Sequence, residues 1–67
     1  MEMLIAILLW LGCIQAPNTY TTSVIDAYTL QNQTVINTVL ADQVQQDIIW
    51  NHFGVAASEI DIINPYQ

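Results

Sequence analysis

Residues 3–14 read MLIAILLWLGCI, an uninterrupted apolar run that is followed by Gln15 and Pro17. In a helix, residues 1–14 would span roughly 21 Å, whereas the hydrocarbon core of a bilayer is about 30 Å thick. The run is therefore short for a transmembrane helix, and its length is typical of a signal-peptide core, an interfacial segment or a buried helix. We predict an apolar helix over residues 1–14.

Apolar side chains cover every face of this helix, so it needs to be enclosed on all sides. Burying one Leu or Ile side chain contributes about 1.5–3 kcal/mol. A chain of 67 residues offers little other material around the helix, so we expect membrane lipid or neighbouring protein subunits to enclose it. The residues that we predict to anchor the chain in this way are Leu4, Ile5, Leu8, Leu9 and Leu11.

The charge of the chain is one-sided, with six acidic residues, no lysine and no arginine. Nucleic-acid affinity comes largely from basic side chains that displace counterions, so nucleic-acid binding is excluded. Only 9% of the residues are charged and 54% are hydrophobic, whereas ordinary soluble domains are about 25% charged. This composition predicts a surface that is covered by other protein subunits, by copies of the chain or by membrane lipid.

Residues 15–23 (QAPNTYTTS) form a predicted linker, because Pro17 disfavours helix at the preceding residue and the Asn, Thr and Ser side chains compete for backbone hydrogen bonds. Ser23 followed by Asp26 resembles a capping box, which marks the start of a helix. We therefore predict a second, longer helix over residues 24–53.

Apolar residues recur at every fourth position of this second helix, which is helical rather than strand periodicity. Gly54 is a natural residue to end the helix. The polar stretch at residues 31–34 could interrupt it, and the β-branched residues within 34–40 leave a strand as the alternative there. The apolar stripe that we predict to dock against a partner or another copy consists of Ile36, Val39, Leu40, Val44 and Ile48.

The C-terminal segment, residues 54–67, allows two interpretations. Ser58 with Asp61 resembles a helix cap, whereas Ile60 and Ile62 alternate with acidic residues as in a short strand. The predicted fold is therefore all-α, with an apolar helix, a linker, an amphipathic helix and a terminal turn or strand, and not an independent globular domain.

The residue types that carry catalysis are sparse. His52 has no suitably spaced carboxylate, since Asp47 lies five positions earlier and off its helical face. The lone Cys13 lies in the apolar run, where thiols are unreactive, and one Cys with one His cannot build a structural zinc site. We predict no catalytic residue, no cofactor and no metal.

These observations predict a non-enzymatic structural or accessory subunit, held in a membrane complex, a virion or a filament. The alternative is an exported lipoprotein or a secreted peptide with an N-terminal targeting signal. Leu11, Gly12 and Cys13 resemble the end of a lipobox, but Trp10 stands where that motif has a small or branched residue, and the residue before the apolar run is acidic.

Overall fold

The structure is a computed structural model that describes residues 2–64. Met1 and residues 65–67, the outermost parts of two predicted segments, lie outside the described residues. The elements in chain order are helix α1 (Glu2–Trp10), strand β1 (Asn18–Thr21), helix α2 (Thr22–Gln31), helix α3 (Gln33–Leu40), helix α4 (Gln43–Ser58) and strand β2 (Ile60–Ile63). The chain is mainly helical, as predicted, but the two strands form a small parallel sheet, so the all-α prediction is correct only in outline.

Helix α1 lies inside the core and packs chiefly against α4. Its residues Ala6, Ile7 and Leu8 have no exposed surface (0%). The other buried members of the core come from every helix and from the turn after α1, and they are Ile5, Leu9, Ile14, Ile25, Ile36, Val39, Ile49 and Ala57. The expectation that lipid or other copies must enclose the apolar run is therefore not met, because the chain's own helices enclose it.

The predicted anchor residues occupy this core. Ile5, Leu8 and Leu9 are buried, and Leu4 and Leu11 are half-buried against the same cluster. Their first role is to hold the four helices together. Anchoring through these side chains stays a prediction, and it would require α1 to leave the core.

Helix α1 ends in a turn built around Gly12, whose φ is +78°. The Gly12 N–H donates to the Leu9 carbonyl at 3.0 Å, and the Cys13 N–H donates to the Leu8 carbonyl at 3.0 Å. This pair of bonds is the Schellman motif, in which the left-handed residue is usually glycine because a Cβ is disfavoured there.

We expect Gly12→Ala to lower the free energy of unfolding by about 1–2 kcal/mol, the cost of a Cβ in the left-handed region. No atom lies within 4 Å of the position of the added Cβ, so backbone strain alone sets this loss. Urea unfolding followed by far-UV circular dichroism measures it. Gly12→Asn should lose less, because asparagine tolerates this conformation better; an unchanged stability in both variants would contradict the assignment.

The predicted single helix over residues 24–53 is divided into three helices. The first begins earlier than predicted, because the Thr21 hydroxyl, and not Ser23, caps it by accepting a hydrogen bond from the Val24 N–H at 3.3 Å. Residues 34–40 lie in α3, so the helical interpretation of this stretch is correct and the strand alternative is not.

Two polar side chains make the breaks between these helices. The Asn32 side-chain amide lies between α2 and α3 and donates to the Cys13 sulfur at 3.5 Å, which joins this break to the turn after α1. Asp42 caps α4, since its Oδ1 accepts from the N–H groups of Val44 at 3.1 Å and Gln45 at 3.3 Å. The Asp42 carboxylate thereby satisfies N–H groups at the start of α4, whereas the Asn32 side chain makes no capping hydrogen bond to α3.

The prediction that Gly54 ends the helix is wrong, because α4 continues to Ser58. A Cβ on Gly54 would lie 2.9 Å from Cε2 of the Trp50 indole. Glycine at this position makes room for the indole one turn earlier. The glycine is therefore explained by packing and not by the end of a helix.

Strand β2 settles the open choice for the C-terminal segment in favour of a strand at Ile60–Ile63. It runs parallel to β1, with Asn18 opposite Ile60 and Thr21 opposite Ile63. Tyr20 of β1 and the two half-buried isoleucines of β2 pack against the core, so the sheet closes one side of it. The predicted linker therefore contains a strand.

Candidate interaction surface

The predicted docking stripe does not lie on one face of the folded chain. Ile36 and Val39 are buried in the core, at 3% and 4% exposure. Leu40, Val44 and Ile48 are exposed, at 49%, 70% and 48%. The change from buried to exposed falls within α3, between Val39 and Leu40, so only the second half of the stripe is available to a partner.

Helix α4 presents an apolar ridge to solvent, which we name the α4 ridge: Val44, Ile48 and Val55. Spacings of four and seven residues place these side chains on one face of a helix, over roughly 16 Å. Ile49 and Ala57 are buried on the other side. Val55, at 80% exposure, was missed because the predicted helix ended before it, although its spacing from Ile48 carries the signal.

A groove of about 420 Å³ lies along one side of α3, and we name it the Leu30–Leu40 groove. Its apolar lining includes Leu4 and Ile36, and Leu30 and Leu40 are exposed at its borders. Asp26 of α2 adds a carboxylate to this lining. No hydrogen bond to the Asp26 side chain is formed by the described residues.

A second groove, of about 360 Å³, lies on the other side of α3. Trp10, Val35 and Val39 supply its apolar lining, and Asp42 its carboxylate. Trp10 and Val35 are substantially exposed, although α1 as a whole is buried. Helix α3 is therefore flanked on both sides by apolar hollows that each contain one acid.

A third hollow, of about 320 Å³, is lined by Glu2 and Met3 of α1 and by Asp47 and Trp50 of α4. The Asp47 Oδ1 accepts a hydrogen bond from the Gln43 side chain at 2.9 Å. A fourth hollow, near Gly12, contains no acid. Four of the six acids thus border apolar concavities rather than lying on a wholly polar surface.

The two residues with catalytic potential lie on different parts of the fold. Cys13 is a half-buried free thiol in the turn after α1, and His52 is exposed on α4. Within residues 2–64, no group of three or more His, Cys, Asp or Glu side chains is arranged to hold a metal ion.

Among the helices in the described part of the chain, none has both the length and the apolar character needed to cross a membrane. Comparisons of the chain with protein-family models, with curated proteins and with solved structures found no match.

Proposed function

We propose that this chain is a non-enzymatic accessory subunit that docks onto another protein through the exposed apolar side chains of α3 and α4. The observation that carries the proposal is the α4 ridge, whose side chains face away from a core that α1 already fills. A contiguous apolar surface on a small protein is typical of an interaction site.

The size of the chain suits this role. A standard protein–protein interface buries about 800 Å² on each partner, and the accessible surface of the described residues is 4450 Å². One such interface would cover about a fifth of that surface, which accounts for much of the exposed apolar area. Helix α1 then serves docking indirectly, by building the core that holds α3 and α4 in place.

The kind of assembly follows from composition more than from geometry. Membrane complexes, virions and filaments all surround a small subunit with other chains, and a chain with 9% charged residues is suited to such surroundings. Attachment to membrane lipid would use the α4 ridge or a released α1, and vesicle flotation of the purified chain tests both.

We expect Val44→Asp to abolish co-purification of the partner, because it places an unpaired charge in the apolar contact when the ridge is covered. The matched control is Val24→Asp, since Val24 is also an exposed valine near the start of a helix but lies outside the α4 ridge. The measurement is quantitative co-purification of the full-length variants from the cells that produce the chain.

Each variant adds one negative charge, so a general charge effect would appear in both. Far-UV circular dichroism checks that each remains folded. A partner that is retained by Val44→Asp and lost by Val24→Asp would contradict the proposal, because it would place the docking surface away from the α4 ridge.

A further inference from the structure

The acids of this chain have almost no cation within the chain to pair with. The formal net charge is −6, and the sequence has no lysine or arginine. His52 is the one basic side chain, and it is exposed on α4. Any positive charge brought against the acids at the grooves must therefore come chiefly from another molecule or from solvent.

Asp26 is the acid best placed to meet such a charge. It borders the Leu30–Leu40 groove, whose remaining lining includes four leucine and isoleucine side chains. Asp42, by contrast, already accepts two backbone hydrogen bonds, and Asp47 accepts one from Gln43. A ligand of this groove is thus recognised by an apolar part and a cationic part close together.

Part of the lining of the groove follows α3. Gln33, Ile36, Asn37 and Leu40 line it, and their spacing of three, four and seven residues is one full face of α3. A groove that follows a helix in this way fits an amphipathic helix laid beside it, which is a common mode of peptide recognition.

We propose that the docking partner is a basic amphipathic helix of another protein, with its apolar face in the Leu30–Leu40 groove and a Lys or Arg side chain on Asp26. This inference rests on the proposed docking function and names the partner's chemistry. A second copy of the chain is a poorer occupant, since it would bring six further acids and no lysine or arginine. Like charges at an interface oppose association. Self-association of this chain would therefore become stronger as added salt screens the acids.

The test uses the full-length chain and three synthetic helical peptides that share one leucine face. Their polar faces carry lysine, glutamine or glutamate. Binding is measured by fluorescence anisotropy at about 50 and 250 mM salt, which spans the range over which exposed charges become screened. We expect the lysine peptide to bind most tightly and to weaken as the salt concentration rises.

The side-chain assignment is tested with Asp26→Asn and with the matched control Asp61→Asn, an exposed acid on β2 outside the three acid-bearing hollows. Both remove one charge. Asp26→Asn should weaken the lysine peptide about two- to fivefold, the range for one exposed ion pair, and should leave the glutamine peptide unchanged. Asp61→Asn should change neither peptide.

Each of the other outcomes contradicts one part of the proposal. Equal weakening by both variants would show that only the overall charge attracts the peptide, and the groove assignment would be wrong. If the glutamine peptide binds as tightly as the lysine peptide, the partner is not basic, although the docking function stands. If none of the three peptides binds, the inference about this groove is wrong, and the proposed docking function is decided by the Val44→Asp co-purification alone.

Discussion

Deletion of residues 1–14 is expected to abolish cooperative folding, and not merely to release the chain from an anchor. The deletion removes every core side chain of α1, including three with 0% exposure. A domain of this size has about 3–5 kcal/mol of stability from its core, which is less than the contribution of these side chains together at about 1.5–3 kcal/mol each. Urea unfolding followed by circular dichroism should show no cooperative transition.

The same experiment decides between the proposed subunit and the secreted alternative. A targeting signal is removed from the mature protein, so a cleaved chain would have to fold without α1. A truncated chain that unfolds cooperatively, together with an intact mass lacking the first segment in cells, would favour the secreted peptide or lipoprotein. Loss of folding with retention of the full mass would favour a subunit that keeps α1.

The largest single-residue effect is expected for Leu8→Ala, which should lower the free energy of unfolding by about 2–5 kcal/mol. Leu8 has 0% exposure at the centre of the core, so the loss combines the transfer term of the side chain with the cavity it leaves. Most of the molecule's stability would be removed. Urea unfolding at low temperature, where the variant still populates the folded state, gives the value.

The matched control is Leu30→Ala, the same change at a side chain with 72% exposure. It should alter stability by no more than about 0.5 kcal/mol. Comparable losses in the two variants would show that α1 does not occupy the centre of the core. Leu30→Ala should also weaken the basic peptide, because Leu30 borders the proposed groove.

The helical character of the chain could be predicted from sequence, but the burial of α1 by the chain's own helices could not. Recurrence at every fourth residue correctly indicated helix at residues 34–40. The expectation that α1 needs outside cover assumed that the remaining chain is too small. The structure shows that Ile25 of α2 and Ile49 and Ala57 of α4 pack in the same core as its buried side chains. Periodicity identifies a buried face but does not give the direction from which it is covered.

The polar stretch at residues 31–34 indicated the break at Asn32, whereas the break before α4 was missed because its signal is short and local. That signal is Asp42, since an aspartate before a helix is a strong cap. Gly54 was interpreted as a helix end, although its cause is the Trp50 indole in contact. A cap and a packing glycine differ only in tertiary surroundings, which one sequence does not contain.

The candidate site was predicted in part for the same reason. Leu40, Val44 and Ile48 are exposed as a docking surface requires, whereas Ile36 and Val39 belong to the core. Ile36, Val39 and Leu40 all lie on α3, and only Leu40 is exposed, so a stripe with constant spacing does not have constant exposure. The grooves on both sides of α3 depend on how α1 and α2 pack, and no local pattern indicates them.

The packing of α1 against α4 has a consequence for the synthesis of the chain. The most apolar helix, α1, is translated well before its chief partner, α4 (Gln43–Ser58). At about 5–20 residues per second, the interval is roughly two to ten seconds. During that time residues 3–14 lack the cover that α4 provides in the folded chain, so the burial of α1 is completed only after α4 has been translated.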